Sequence, residues 1–218
     1  MKRKYSVFLL LLSVIFTACD SQKADDPNPK FDQKDLFPLS IGKTFNYWLK
    51  AYDTSGNETA DRRFSQKIEG DTVAKGKTWF KSPDTPTYIS NQPDGLHYYY
   101  SFNGEESLIY KYPCEKGDKY ESFAYTYKPE TGERYVTVIG VKNVEVISTN
   151  TSVTSPLSGK KYENCILYRT AKFTPTNTEG IRIYPSEQYV VPGIGAVLII
   201  DYYDEARKNR TSVREQLD

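Results

Sequence analysis

Thr44-Phe45-Asn46-Tyr47-Trp48-Leu49-Lys50-Ala51 places Phe45, Tyr47, Leu49 and Ala51 on one side of an extended chain and Thr44, Asn46, Trp48 and Lys50 on the other. A period of two marks a half-buried β-strand. Outward from this stretch, short β-branched and aromatic runs recur between turn-forming clusters at Ser55-Gly56-Asn57, Asn91-Gln92-Pro93-Asp94-Gly95, Asn103-Gly104, Glu130-Thr131-Gly132, Ser155 to Gly159 and Pro175 to Gly180. Tyr135, Thr137 and Ile139 keep the alternation, but after Gly140 the apolar positions shift to Val144 and Val146, which predicts a bulge or bend near Gly140. The uninterrupted apolar run that follows Val191-Pro192-Gly193-Ile194-Gly195 reads as a strand buried on both faces or at a sheet centre. After a turn beyond Tyr203, Thr211 to Leu217 is expected to return as an edge strand. No ten-residue window carries helical periodicity. The expected fold is all-β: an antiparallel meander forming a curved open sheet, half-barrel or sandwich.

The chain also resembles itself. Phe37-Pro38-Leu39-Ser40-Ile41-Gly42-Lys43-Thr44-Phe45 and Tyr112-Pro113-Cys114-Glu115-Lys116-Gly117-Asp118-Lys119-Tyr120 share aromatic, Pro, three residues, Gly, two residues, aromatic, at an offset of 75. Gly76-Lys77-Thr78-Trp79 echoes Gly159-Lys160-Lys161-Tyr162, and Asp94-Gly95-Leu96-His97-Tyr98 echoes Glu179-Gly180-Ile181-Arg182-Ile183. These matches predict two pseudo-repeats, about 35–110 and 111–218, sharing one core within a single β domain, 35–218.

The start of the chain carries an address. Lys2-Arg3-Lys4 precedes a mostly apolar run from Tyr5 to Phe16 and small residues before Cys19, the layout of a secretory signal covering residues 1–18. The apolar run would span only about 18 Å as a helix, too short to cross a bilayer core of about 30 Å. Phe16-Thr17-Ala18-Cys19 resembles the lipobox of bacterial lipoproteins, with Phe16 where Leu is usual; the resemblance implies cleavage before Cys19 and lipidation of its thiol. Two acyl chains give stable membrane attachment. Residues 19–34 form the lipidated cysteine and a charged, Pro-containing tether that cannot bury enough surface to order itself. Lys23-Ala24-Asp25-Asp26 is similar to the acidic surface-export signal of Bacteroidetes lipoproteins, whereas Asp20 resembles an inner-membrane retention residue. The expected address is the bacterial cell envelope, with the outer membrane favoured and the choice between surface and periplasmic face open.

Loss of Lys2, Arg3 and Lys4 with the signal moves the formal charge from +1 to −2. A near-neutral domain lacks the basic face that a dominant nucleic-acid role requires. Beyond Cys19 stand Cys114 and Cys165; in an oxidising compartment an even pair is expected to bridge, with two separately buried thiols as the alternative.

Catalytic signatures are missing from the sequence. His97 is the only histidine, without an H-E-x-x-H, C-x-x-C or G-x-S-x-G setting, and reads as a surface or sheet-edge residue. Neither a metal site nor a cofactor is implied. The 19 tyrosines and two tryptophans are more suggestive: Trp48, Trp79, Tyr98, Tyr99 and Tyr100 are the candidate ligand contacts, since exposed aromatic rings stack on sugars and partner proteins. Asp71-Thr72-Val73 resembles a Bacteroidetes O-glycosylation acceptor, with Thr72 as the candidate site.

The F-P-L-x-x-G-x-x-F-x-Y opening from Phe37 to Tyr47, followed by V-P-G-I-G from Val191 to Gly195, resembles a group of small Bacteroidetes lipoproteins. That resemblance implies an antiparallel β fold akin to the open half-barrels of lipoprotein carriers, and it carries no activity or functional residues. The expected function is a non-catalytic, envelope-anchored binding module for a protein, a glycan or an apolar ligand, attached to the membrane through Cys19. The alternative is a glycan hydrolase with paired carboxylates in a cleft.

Overall fold

The computed structural model describes residues 36–81, 87–101, 103–128, 135–175, 185–204 and 206–218, with the side chains of 125–139 and 171–175 outside the description. Cys19, the tether and the 179–183 half of the third internal match lie outside the described residues. The strands are β1 (Thr44–Tyr52), β2 (Glu58–Lys67), β3 (Asp71–Ala74), β4 (Lys77–Lys81), β5 (Thr87–Gln92), β6 (Gly95–Tyr100), β7 (Glu105–Lys111), β8 (Lys119–Lys128), β9 (Tyr135–Thr154), β10 (Lys161–Pro175), β11 (Ser186–Val191), β12 (Gly195–Tyr202) and β13 (Arg210–Gln216). All described pairs are antiparallel. They form an 8-stranded sheet in the order β2-β1-β13-β12-β11-β10-β9-β8 and a 5-stranded sheet in the order β3-β4-β5-β6-β7.

Among the described residues the fold is therefore all-β, with two sheets and no closed barrel. Where β7 approaches β8, side chains rather than a backbone ladder join the sheets: Phe123 N–H donates to the Ser107 hydroxyl at 2.8 Å, and the Tyr120 hydroxyl donates to the Ile109 carbonyl at 2.7 Å. The predicted irregularity near Gly140 is a register shift between Ala124 and Tyr125, which face Gly140 and Val138. β12 is a central strand with Leu198, Ile199 and Ile200 all buried, as the apolar run required. β13 departs from expectation. It is not an edge strand, because the N-terminal β1 adds beyond it, pairing Tyr47 with Gln216 through Ala51 with Ser212.

Apolar contacts between the sheets centre on Leu36, Leu96, Tyr110, Val144, Val146, Ile166, Tyr168 and Val190. Leu36 is fully buried there, just where the chain enters the domain. Its neighbour Phe37 is fastened on three sides. The Phe37 N–H donates to Asn91 Oδ1 at 3.3 Å, the Asn91 amide returns a bond to the Phe37 carbonyl at 2.8 Å, and the ring stacks on Tyr110 with centroids 5.7 Å apart. Gly195 makes room for that ring: a Cβ there would lie 2.9 Å from Phe37 Cε1, and its φ of +107° further disfavours any other residue. A smaller group of Phe45, Tyr47 and Ile68 continues the core under β1.

The two aromatic-Pro entrances make the same hydrogen bonds. Gly42 N–H donates to Ile68 O at 2.8 Å, Ile68 N–H to Lys43 O at 2.8 Å, and Lys43 N–H to Ser40 O at 3.1 Å. Gly117 N–H donates to Val146 O at 2.8 Å, Val146 N–H to Asp118 O at 2.8 Å, and Asp118 N–H to Glu115 O at 3.1 Å. Both glycines have positive φ, +87° and +92°, which is why the spacing from proline to glycine recurs.

The expected disulfide is not formed: Cys114 and Cys165 are free thiols. Cys114 packs against the inter-sheet cluster, its Sγ 3.8 Å from the Tyr168 hydroxyl. Cys165 belongs to a different cluster on the other face of the large sheet, with Tyr162, Val197, Leu198, Ile200, Tyr202 and Val213. Side chains of successive strand residues point to opposite faces, so Cys165 turns away from the side that Ile166 and Tyr168 present to Cys114. Burial raises the pKa of both thiols, that of Cys165 to about 11, and keeps them unreactive.

Two outcomes follow from this packing. Leu36→Ala should cost about 2–5 kcal/mol, the range for emptying a core leucine site, read as a lowered denaturation midpoint. A reductant should leave the melting temperature of the Cys19→Ser protein unchanged; a drop would signal a bridge.

Candidate ligand-binding cleft

Cross-strand register aligns one row of residues across the inner face of the 8-stranded sheet. Ala60 on β2 faces Ala51 on β1, Ala51 faces Ser212 on β13, Ser212 faces Asp201 on β12, and Asp201 faces Ser186 on β11. Past β10, the same end of the face carries Lys142 on β9 opposite Ser122 on β8. None of these is a large apolar side chain. One turn of pleat further along, the row holds Val144, Gln188, Ile199, Arg214 and Leu49, and beyond it lies the apolar core. The space between the sheets is thus filled by hydrophobic packing at one end and walled by small polar groups at the other.

Charged and phenolic groups converge on this polar end. Asp201 accepts the Ser212 hydroxyl at 2.8 Å. The Arg214 guanidinium lies over the Tyr47 ring, 5.5 Å from its centroid, a cation–π contact. From the 5-stranded sheet, Tyr98 points to the same interior as Leu96, its neighbour but one, and the Tyr110 hydroxyl donates to Gln188 Oε1. Burial raises the pKa of Tyr47 to about 12 and also raises those of Tyr98 and Tyr110, with the Arg214 charge opposing in each case. Lys142 shifts downward, because burial disfavours its ammonium while Asp201 partly restores it. Yet Lys142, Tyr98, Asp201 and Arg214 are only half-buried by surface area. Lys142 and Tyr98 thus combine desolvation with residual solvent contact, as side chains at the border of a packed interior do.

The five aromatic residues singled out from the sequence do not form one surface. Tyr98 and Tyr100 share the inner face of β6, where Tyr98 lines the cleft and Tyr100 is buried at 1% exposure. Tyr99 and Trp79 lie on the outer face of the small sheet, 5.1 Å apart between ring centroids. Trp79 is 0% exposed, and its indole N–H donates to the Ala74 carbonyl at 3.0 Å. Its burial follows from the cover provided by Tyr99 and the Lys77 side chain. Trp48 lies on the opposite face of β1 from the cleft. Arg63 and Lys50 approach its ring at 4.8 and 5.6 Å, and its N–H donates to Asp61 at 2.6 Å. Thr72 is half-buried on the edge strand β3, opposite Trp79, while Asp71 and Val73 beside it are exposed. His97 is on β6 between β5 and β7, not at a sheet edge, with Nε2 2.9 Å from Asp94.

Two buried glutamates occupy the outer face of the large sheet. Glu187 is gripped by Arg169 at 2.7 Å and approached by the Tyr202 hydroxyl at 3.2 Å. Glu215, fully buried, accepts the hydroxyls of Ser155 at 2.7 Å and Ser158 at 2.5 Å, and the Tyr162 hydroxyl lies 2.9 Å away. These bonds fold the tip of the β9–β10 hairpin over β12 and β13. In the cleft row Asp201 stands without a second carboxylate among the described residues, and no group of three or more potential metal ligands occurs among them.

Sequence reasoning passed over Lys142, Asp201, Ser186, Ser212 and Arg214. Only one of them left a local signal. Lys142 is in phase with Val144 and Val146, a cation on the apolar side of its strand.

No family model and no curated protein matches the chain. Among solved structures, it is similar to a "putative lipoprotein" from Parabacteroides distasonis ATCC 8503, with 17% identity over 85% of this chain and 98% of that one and a TM-score of 0.40. It is also similar to a "putative exported protein with YmcC-like fold" from Bacteroides fragilis NCTC 9343, with 10% identity over 84% of this chain and 97% of that one and a TM-score of 0.47.

The shifted tyrosines set the alkaline limit of the fold. Tyr47 and Tyr189 are both raised to about 12, above the ordinary value of about 10, so they favour the folded state below pH about 10 and lose that contribution as pH rises through about 12. The urea midpoint should fall across this interval, in step with late phenolate absorbance at 295 nm.

Proposed function

We propose that this protein is a non-catalytic, lipid-anchored module of the bacterial cell envelope, and that its inter-sheet cleft binds a hydroxyl-rich ligand of the saccharide type. The observation that carries this reading is the row Ala60, Ala51, Ser212, Asp201 and Ser186, which leaves room and hydrogen-bonding groups where a packed core would place large apolar side chains. Serine hydroxyls, a carboxylate and a lysine offer donors and acceptors to sugar hydroxyls, while Tyr98 supplies an aromatic wall. Among the three ligand classes considered from the sequence, an apolar molecule fits less well: the apolar part of the interior is occupied by Leu36, Tyr110, Ile166 and their neighbours. A protein contact draws less support, since Trp79 and Tyr100 are buried and Trp48 is enclosed by charged side chains.

Anchoring rests on the layout of Lys2 to Cys19. A tether of residues 20–34 would reach roughly 50 Å when extended, at about 3.3 Å per residue, enough to hold the cleft clear of the headgroups. The site would then sample glycans of the envelope or of its surroundings without leaving the membrane.

The Cys19→Ser protein, released from the membrane, should bind soluble envelope oligosaccharides in isothermal titration calorimetry. Ala51→Leu, which fills the cleft with a side chain that strands tolerate, should abolish that heat while leaving the melting temperature within a few degrees. Saccharide binding that survives Ala51→Leu would move the site elsewhere.

A further inference from the structure

We propose that the ligand of this cleft is an acidic saccharide, and that Lys142 and Arg214, four strands apart in the sheet, bind separate anionic groups along it; the inference rests on the cleft being the binding site. Among the described half-buried residues of this face stand two cations, Lys142 and Arg214, and one carboxylate, Asp201, whose Oδ2 already receives the Ser212 hydroxyl at 2.8 Å. Among the described residues no carboxylate lies within ion-pair distance of either cation, and neither donates a hydrogen bond. The Arg214 guanidinium rests over Tyr47, a stacking contact that leaves its forked N–H groups open to a planar anion.

Buried charge on the outer face of the same sheet is treated differently. Glu187 is answered by Arg169 at 2.7 Å, and Glu215 by the hydroxyls of Ser155, Ser158 and Tyr162. Placing a cation in a desolvated space without a partner is costly, and an arriving anion removes that cost. Lys142 bears the mark of the unmet cost, since burial pulls its pKa down despite the distant help of Asp201. Its position is also set by the sheet rather than by loop freedom: it sits in the middle of the β8–β9 ladder, opposite Ser122, in phase with the core residues Val144 and Val146. Backbone on both sides therefore fixes where the ammonium is presented. A ligand whose hydroxyls meet Ser186 and Ser212 would bring one carboxylate or phosphate substituent toward Lys142 at one end and another toward Arg214 further in.

The test titrates the Cys19→Ser protein with tetragalacturonate, with its fully methyl-esterified neutral counterpart, and with inorganic phosphate. The acidic tetrasaccharide should bind about tenfold or more tightly than the neutral one, the discrimination expected of one charge-assisted bond. Lys142→Met should erase that ratio, and Arg214→Gln should reduce it, with melting curves confirming that both variants fold. Because Lys142→Met removes a half-buried cation without a charge partner, its melting temperature should not fall. Equal binding of the two saccharides, unchanged by Lys142→Met, would overturn the acidic preference while sparing the saccharide reading. Phosphate binding that depends on Lys142, without binding of either saccharide, would uphold the anion site and overturn the saccharide. Binding of none of the three would overturn both.

Discussion

The ladder between β1 and β13 is the contact on which the remaining architecture depends. It joins the first strand of the domain to the last, from Tyr47 opposite Gln216 to Ala51 opposite Ser212, and so fuses the β1–β2 hairpin with the β8 to β13 meander into one 8-stranded sheet. The chain between them is then obliged to leave that sheet, build the 5-stranded layer from β3 to β7, and return at β8. The inter-sheet space exists because of this detour. Its polar row exists because the β1–β13 register sets Ala51 beside Ser212 and hence beside Asp201.

The two ends of the inter-sheet space are specialised by the same ladders. At the end where the chain enters, Leu36 is fully buried and Phe37 is held by Asn91, Tyr110 and the open flank of Gly195, so dry packing closes the sheets together. At the other end the row holds alanine and serine side chains with Asp201, and Tyr98, Lys142 and Arg214 are half-buried on facing or neighbouring strands. Apolar packing and polar groups thus occupy different rows of one surface. The outer face is covered independently, by the β9–β10 tip bonded to Glu215, so the sheet does not need the cleft to be filled in order to be stable.

Local pattern in the sequence read the strands well because strand formation is a local matter of alternation and turn chemistry. The alternation from Thr44 to Ala51 gave β1, the phase change at Gly140 gave the β8–β9 register shift, and the run after Val191 gave a central buried strand. The entrance motifs recur because a Pro-to-Gly spacing with positive φ at Gly42 and Gly117 supports one hydrogen-bond pattern. Long-range placement was legible only in part. Thr211 to Leu217 read as an edge strand because nothing near it announces β1, and the burial of Trp79 was not legible because Tyr99, which covers it, comes from β6, two strands away across the small sheet.

What the sequence by itself determined is a β domain with its turns, its central strand, the expectation of a lipidated Cys19 and the absence of catalytic motifs. Tertiary structure alone decided that Cys114 and Cys165 face different clusters, that Trp48, Trp79 and Tyr98 look onto three different surroundings, and that Lys142, Asp201 and Arg214 share the inner face of one sheet. The physical reason is register. Alternation tells which residues of one strand share a face, but the face that turns inward and the residues set beside it depend on ladders between strands far apart in the chain.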